Sequence, residues 1–288
     1  MNNIGLHYGY WLHDWDGDLL TAIDKAAEIG FDTVEIDSDI VLNRTSVVRE
    51  KIRRWAEDRG VELTFCIGMK GGFDISSANK RVRKRGVEHV KKIITVVNEM
   101  GGKTISGVNY GEWNPAVEKA EKKQEYLQRS RESIKEIVKI AEKAGVFYNI
   151  EPVNRFEQFM INTCQEALEF IEPIDSPNLK ILLDTFHMNI EEDSFREAIM
   201  KAGDKLGHIH IGENNRKPPG EGGVLDWDTI FNSLKEIDYG GSIVMEPFII
   251  SGGEIARDIR VWRDMTAEKE GLEDRIADSL KFVRNKLK

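Results

Sequence analysis

Short aliphatic runs and longer amphipathic stretches alternate about eight times along this chain of 288 residues. The pattern is sharpest at Ile181-Leu-Leu-Asp184, where the apolar residues are continuous rather than alternating. A strand covered on both faces of a parallel sheet requires that continuity. The stretches between strands are long enough to be crossover helices, which parallel neighbours need. Roughly 250 residues is typical of a closed eight-fold β/α barrel, so the expectation is one α/β barrel domain, a (β/α)8 TIM barrel spanning residues 1–288.

Strands are expected at Ile4–Tyr10, Thr33–Ile36, Glu62–Ile67, Thr104–Ser106, Val146–Ile150, Leu179–Asp184, His208–Ile211 and Ser242–Glu246. Helices are expected at about 18–29, 45–59, 79–100, 124–144, 164–171, 195–202, 227–237 and 273–287. Gly30, Gly60 and Gly145 stand where three of them should stop. No linker, repeat or low-complexity segment marks a domain boundary.

Hydrophobic residues make up 40% and charged residues 32%, and the formal charge is −9. That is the make-up of a globular protein, and the acidic balance argues against nucleic acid or an anionic membrane as partner. The basic run Lys80-Arg-Val-Arg-Lys-Arg85 is read as a solvated helix face. Cys66 and Cys164 are far apart and form no CxxC, which suits reduced thiols in the cytoplasm. The N-terminus carries no signal-like segment, and no apolar run reaches membrane-spanning length.

Four strands of the C-terminal half end in ionisable groups: Tyr148-Asn-Ile-Glu151, Ile181-Leu-Leu-Asp184, His208-Ile-His210 and Ile243-Val-Met-Glu246. In a barrel these are successive staves whose ends meet at the catalytic mouth. Three carboxylates so close would repel, and a divalent cation removes the conflict. With one histidine and no thiolate, the donor set suits Mn2+, Mg2+ or Co2+ better than structural zinc. Glu151, Asp184, His210 and Glu246 are therefore the expected metal ligands. His208 lies one layer deeper on the same face, as a support for the site or a core residue, with the ligand role in place of His210 as the alternative.

The segments Glu151-Pro-Val-Asn-Arg-Phe-Glu157, Asp184-Thr-Phe-His-Met-Asn-Ile-Glu-Glu-Asp193, Gly207-His-Ile-His-Ile-Gly-Glu-Asn-Asn-Arg216 and Val244-Met-Glu-Pro-Phe248 resemble those of the D-tagatose/D-psicose (allulose) 3-epimerases. These are ketose 3-epimerases of the xylose isomerase-like barrel superfamily. The resemblance runs from Tyr8-Gly-Tyr-Trp11 through Cys66-Ile-Gly-Met-Lys70 to Val261-Trp-Arg-Asp264. It implies a homodimer or homotetramer that inverts C3 of free ketoses with one divalent ion per subunit, Mn2+ foremost. It matches Glu151, Asp184, His210 and Glu246 to the metal, and Glu157, His187 and Arg216 to the sugar. Cys66 resembles the tagatose-type branch. His7, where Tyr or Phe is expected, and Pro152, where an aliphatic residue is usual, depart from the pattern and bear on the preferred sugar.

Epimerisation at C3 removes a weakly acidic proton beside the C2 carbonyl and returns one to the opposite face. A cation on O2 and O3 would polarise the carbonyl and stabilise the enediolate. Glu151 and Glu246, expected on opposite staves, would be the acid/base pair. His187 and Glu157 would hold the O2/O3 region and Arg216 would hold O1. Trp113, Tyr8 and Trp11 would wall the sugar's C–H faces. An aldose–ketose isomerase of the same barrel class differs only in the carbon that loses its proton. A non-catalytic sugar-binding barrel would bind without exchanging hydrogen, and a DNA-repair nuclease on a related barrel would want more histidines and a basic face.

Overall fold

The computed structural model describes residues 2–266 and 271–288. Among them, eight parallel strands close into a barrel in chain order: β1 (Ile4–His7), β2 (Thr33–Asp37), β3 (Glu62–Gly68), β4 (Thr104–Val108), β5 (Phe147–Ile150), β6 (Leu179–Asp184), β7 (Leu206–Ile211) and β8 (Ile243–Met245). The sheet closes where β8 pairs with β1, Gly5 opposite Val244. Its apolar residues, such as Ile36, Phe65, Ile181 and Leu183, are fully buried against the surrounding helices. Strand β6 is buried at five of six positions, as its unbroken aliphatic run requires.

The helices follow the amphipathic stretches: α1 (Leu19–Ile29), α2 (Ser38–Leu42), α3 (Ser46–Glu57), α4 (Lys80–Glu99), α5 (Lys123–Ala144), α6 (Cys164–Ile171), α7 (Thr185–Glu191), α8 (Phe195–Ala202), α9 (Trp227–Glu236), α10 (Gly253–Asp258) and α11 (Leu272–Leu287). Side-chain caps start many of them: Asp18 accepts from Leu20 N and Thr21 N, and Thr163 from Glu166 N. Gly30 and Gly145 end α1 and α5 at φ of 100° and 65°, in the left-handed region that a Cβ disfavours. No described helix is long and apolar enough to cross a membrane.

The sequence reading departs from the structure mainly in short segments. Strand β1 ends at His7 rather than Tyr10, because the His7 ring accepts from Gly9 N and turns Tyr8–Trp11 into a 3-10 helix. Helices α2, α7 and α10 were not expected. Each has seven residues or fewer, too short to show a helical period. Two of them begin directly at strand ends, where Asp37 of β2 caps α2 and Asp184 of β6 caps α7.

Candidate active site

Because the strands run parallel and in order, the ends of β5, β6, β7 and β8 lie side by side. Asp184 pairs in register with His210 on the next strand. Glu151 and Glu246 are the residues immediately after β5 and β8. Single ligand atoms of Glu151, Asp184 and His210 lie within 4.8 Å of one another. Glu246 joins them, with Oε1 3.5 Å from His210 Nδ1, and Glu151 Oε1 lies 4.0 Å from the same nitrogen. The sequence-derived set thus comes together, with one correction. Glu151 and Glu246 are not on opposite staves: two strands lie between β5 and β8, so the acids flank the Asp184–His210 pair. In an eight-stranded barrel, diametric partners are four strands apart.

Electrostatics explains why these groups want a cation. Burial raises the Glu151 carboxyl well above its ordinary value; nearby His210 opposes this, while Glu246 and Asp184 add to it. Burial alone would depress His210, but Glu35 and Glu246 outweigh it and raise the imidazole well above its usual range. His210 Nδ1 is buried without a hydrogen-bond partner. An orphaned imidazole nitrogen among three carboxylates, with no thiolate, fits a hard or borderline divalent ion.

His210 also makes a contact that the sequence did not reveal. Its Nε2 lies 2.5 Å from Glu35 Oε2, and His208 Nε2 lies 3.0 Å from Glu35 Oε1. These are close charge contacts rather than linear hydrogen bonds. Glu35 is fully buried in β2. The expectation that His208 sits one layer below His210 agrees with this arrangement.

On the other side of the ligand set stands His187, one turn into α7. Its Nδ1 accepts from the Asn154 backbone N–H at 3.1 Å, which leaves the proton on Nε2. That nitrogen points at Asp184 Oδ2 and Glu151 Oε1, at 3.6 and 3.9 Å. Burial lowers the His187 pKa, so the ring is a neutral donor. Glu157 accepts from Trp113 Nε1 at 3.0 Å and from Asn154 Nδ2 at 2.9 Å. Burial would raise its carboxyl, but the Arg216 charge and these two donors help to pull it below its ordinary value. Arg216 Nη1 reaches Glu246 and Asp184 at 3.0 and 3.3 Å.

Glu151, Glu157, His187, His210, Arg216 and Glu246 line a cavity of about 700 Å³, within the range of small-molecule sites. Trp113 and Cys66 are on its wall, as expected; Tyr8 and Trp11 are not. The 3-10 turn buries Tyr8 behind the wall, with its hydroxyl donating to the Trp15 carbonyl, and His7, Trp15 and Phe248 take the place assigned to it. Burial pushes His7 down to about 3, so it is neutral. Its Nδ1 accepts from Gly9 N, so Nε2 carries the hydrogen and faces Cys66 Sγ at 3.3 Å. Burial raises the Cys66 thiol well above its usual value, which disfavours the thiolate.

Comparison with known proteins places this geometry in a family. Residues 23–284 match the family model described as a xylose isomerase-like TIM barrel. The D-psicose 3-epimerase of Ruminiclostridium cellulolyticum is 37% identical over 97% of this chain and 96% of its own. That of Agrobacterium fabrum is 36% identical, covering 97% of each. A crystal structure of D-psicose 3-epimerase from Clostridium cellulolyticum H10 with D-tagatose superimposes with a TM-score of 0.96, at 36% identity and covering 99% of both chains. The chain belongs to the xylose isomerase-like TIM-barrel family and, within it, to the ketose 3-epimerases, which are isomerases.

Proposed function

We propose that the protein epimerises free ketoses at C3, acting on sugars of the D-psicose, D-tagatose and D-fructose type. The observation that carries this reading is the convergence of Glu151, Asp184 and His210 within 4.8 Å, two of them on the cavity wall, in a chain of the ketose 3-epimerase family. We assign one divalent ion per subunit, Mn2+ foremost with Co2+ or Mg2+ as substitutes, to Glu151, Asp184, His210 and Glu246. When bound, that ion supplies Lewis-acid polarisation of the ketose carbonyl.

The remaining work belongs to the chain's own side chains. One of the carboxylates Glu151 and Glu246 takes the C3 proton, and the other delivers a proton to the opposite face. The ketose is thus returned with only its C3 configuration changed. Positioned acid–base groups of this kind contribute roughly 10²–10⁴ in rate each. His187, a neutral Nε2–H donor, holds the O2/O3 region with Glu157. Arg216 offers its planar fork of donors to O1. Trp113 and Cys66 lie against the sugar, and Trp113 also steadies Glu157 through its indole N–H.

The reading includes a single catalytic barrel over residues 1–288, working in the cytoplasm as a homodimer or homotetramer. Two free thiols support the compartment. The exposed large apolar side chains Phe156 and Trp262 support self-association. The test is product analysis. Mn2+-treated protein incubated with D-psicose, D-tagatose or D-fructose should yield the C3 epimer of each sugar that reacts. Aldose as the product would assign the chemistry to an aldose–ketose isomerase, and binding without any product would make the barrel a sugar-binding protein.

A further inference from the structure

Glu35 has a task that its place in the sequence does not announce. Strands β2 and β7 are not neighbours in the sheet, so a contact between them must cross the barrel interior. Glu35 makes that crossing twice, with one oxygen 3.0 Å from His208 Nε2 and the other 2.5 Å from His210 Nε2. A buried carboxylate survives only when it is paired, and here both partners come from a single strand. The His210 ring is therefore held at two ends. Nε2 is turned down to Glu35, and Nδ1 is turned up toward Glu246 and Glu151 at 3.5 and 4.0 Å.

We propose that Glu35 is a positioning residue that fixes the His210 ring with its proton on Nε2 and its Nδ1 lone pair aimed at the cation. The inference rests on the metal-dependent reading above. A carboxylate behind a ligating imidazole fixes ring orientation and tautomer and makes the ring a stronger donor. The other ring nitrogen could not serve in its place, because Glu35 occupies it. His208 holds the second carboxylate oxygen and so keeps Glu35 from rotating away from His210.

Two measurements on the full chain test this. In the first, Mn2+ affinity of the wild type and Glu35→Gln is measured by EPR titration, with thermal unfolding of both alongside. Glu35→Gln should bind Mn2+ about 10–100-fold more weakly. A residue with only a structural role would lower the unfolding temperature and leave the affinity unchanged, and unchanged affinity in folded Glu35→Gln overturns the proposal. In the second, the wild type labelled with 15N-histidine is saturated with Mg2+, and its ring nitrogens are read by two-bond 1H–15N correlation. His210 should carry its proton on Nε2 with Nδ1 bare. A proton on Nδ1 overturns the proposal, and this holds even if Glu35→Gln does not fold. Wild-type protein that takes up no divalent ion would instead overturn the metal-dependent reading itself.

Discussion

The guanidinium of Arg216 lies 3.7 Å above the ring of Phe186, and the same group reaches Glu246 and Asp184 along its edge. Stacking fixes the plane of the fork, and the two carboxylates fix its rotation. The backbone supports the pose: Arg216 has φ of 67°, a left-handed conformation that a non-glycine residue adopts at a cost. Lysine would keep the charge and lose the stack and the paired donors. Arg216→Lys should raise KM for the ketose by about 10–100-fold, the size of one or two lost charge-assisted hydrogen bonds. Steady-state kinetics at saturating Mn2+ measures this, and an unchanged KM would remove Arg216 from the sugar site.

Glu246 is expected to move the C3 proton. Glu246→Gln, assayed at saturating Mn2+, should bind ketose within a few-fold of wild type while kcat falls by about 10²–10⁴. Calorimetry gives the first quantity and product formation the second. Near-normal turnover would eliminate Glu246 as a base.

Protons compete with the cation for the same groups. In the protein without metal, Glu151 and His210 both hold their protons to higher pH than usual. Metal binding must displace those protons, so lowering the pH weakens binding and raising it strengthens binding. Mn2+ affinity should rise steadily from about pH 5.5 to pH 8, with proton uptake by buffer detectable when calorimetry is repeated in buffers of different ionisation enthalpy. Affinity independent of pH would show that the ion binds elsewhere.

His7 presents a neutral N–H at the cavity wall, beside Cys66. Since burial holds its pKa near 3, this donor does not change across the working range. His7→Phe should leave hydrogen exchange at C3 intact and alter the ranking of ketoses by kcat/KM, by about tenfold for sugars that lose a hydrogen bond. Parallel assays on D-psicose, D-tagatose and D-fructose decide it, and an unaltered ranking would show that no sugar hydroxyl meets His7.

Much of this site is legible because a carboxylate or histidine at the end of an unbroken aliphatic run can only be at the edge of a buried strand. Asp184 and Glu246 stand out for that reason, and closure of the barrel does the rest. Glu35 does not stand out. In Thr33-Val-Glu-Ile36 a polar residue between two apolar ones reads as the outward half of an ordinary alternation. Its burial depends on β2 facing β7 across the interior, a relation no local window contains. Tyr8 departs from its expected place for a similar reason: a ring nitrogen of His7 ends the strand three residues before Tyr10, and alternation fails from there. Phe186 and Asn154 belong to the site through α7 and the loop after β5, neither of which has a periodic signal of its own.

The most direct measurement is hydrogen exchange at the reacting carbon. Mn2+-treated protein is incubated in D2O with D-psicose, D-tagatose or D-fructose, the protein and metal are removed, and the sugars are read by NMR. The predicted result is deuterium at C3 of both the substrate and its epimer, with C1 unlabelled. Sugars recovered with C3 unlabelled under every divalent ion tried, or labelled at C1 instead, would contradict it.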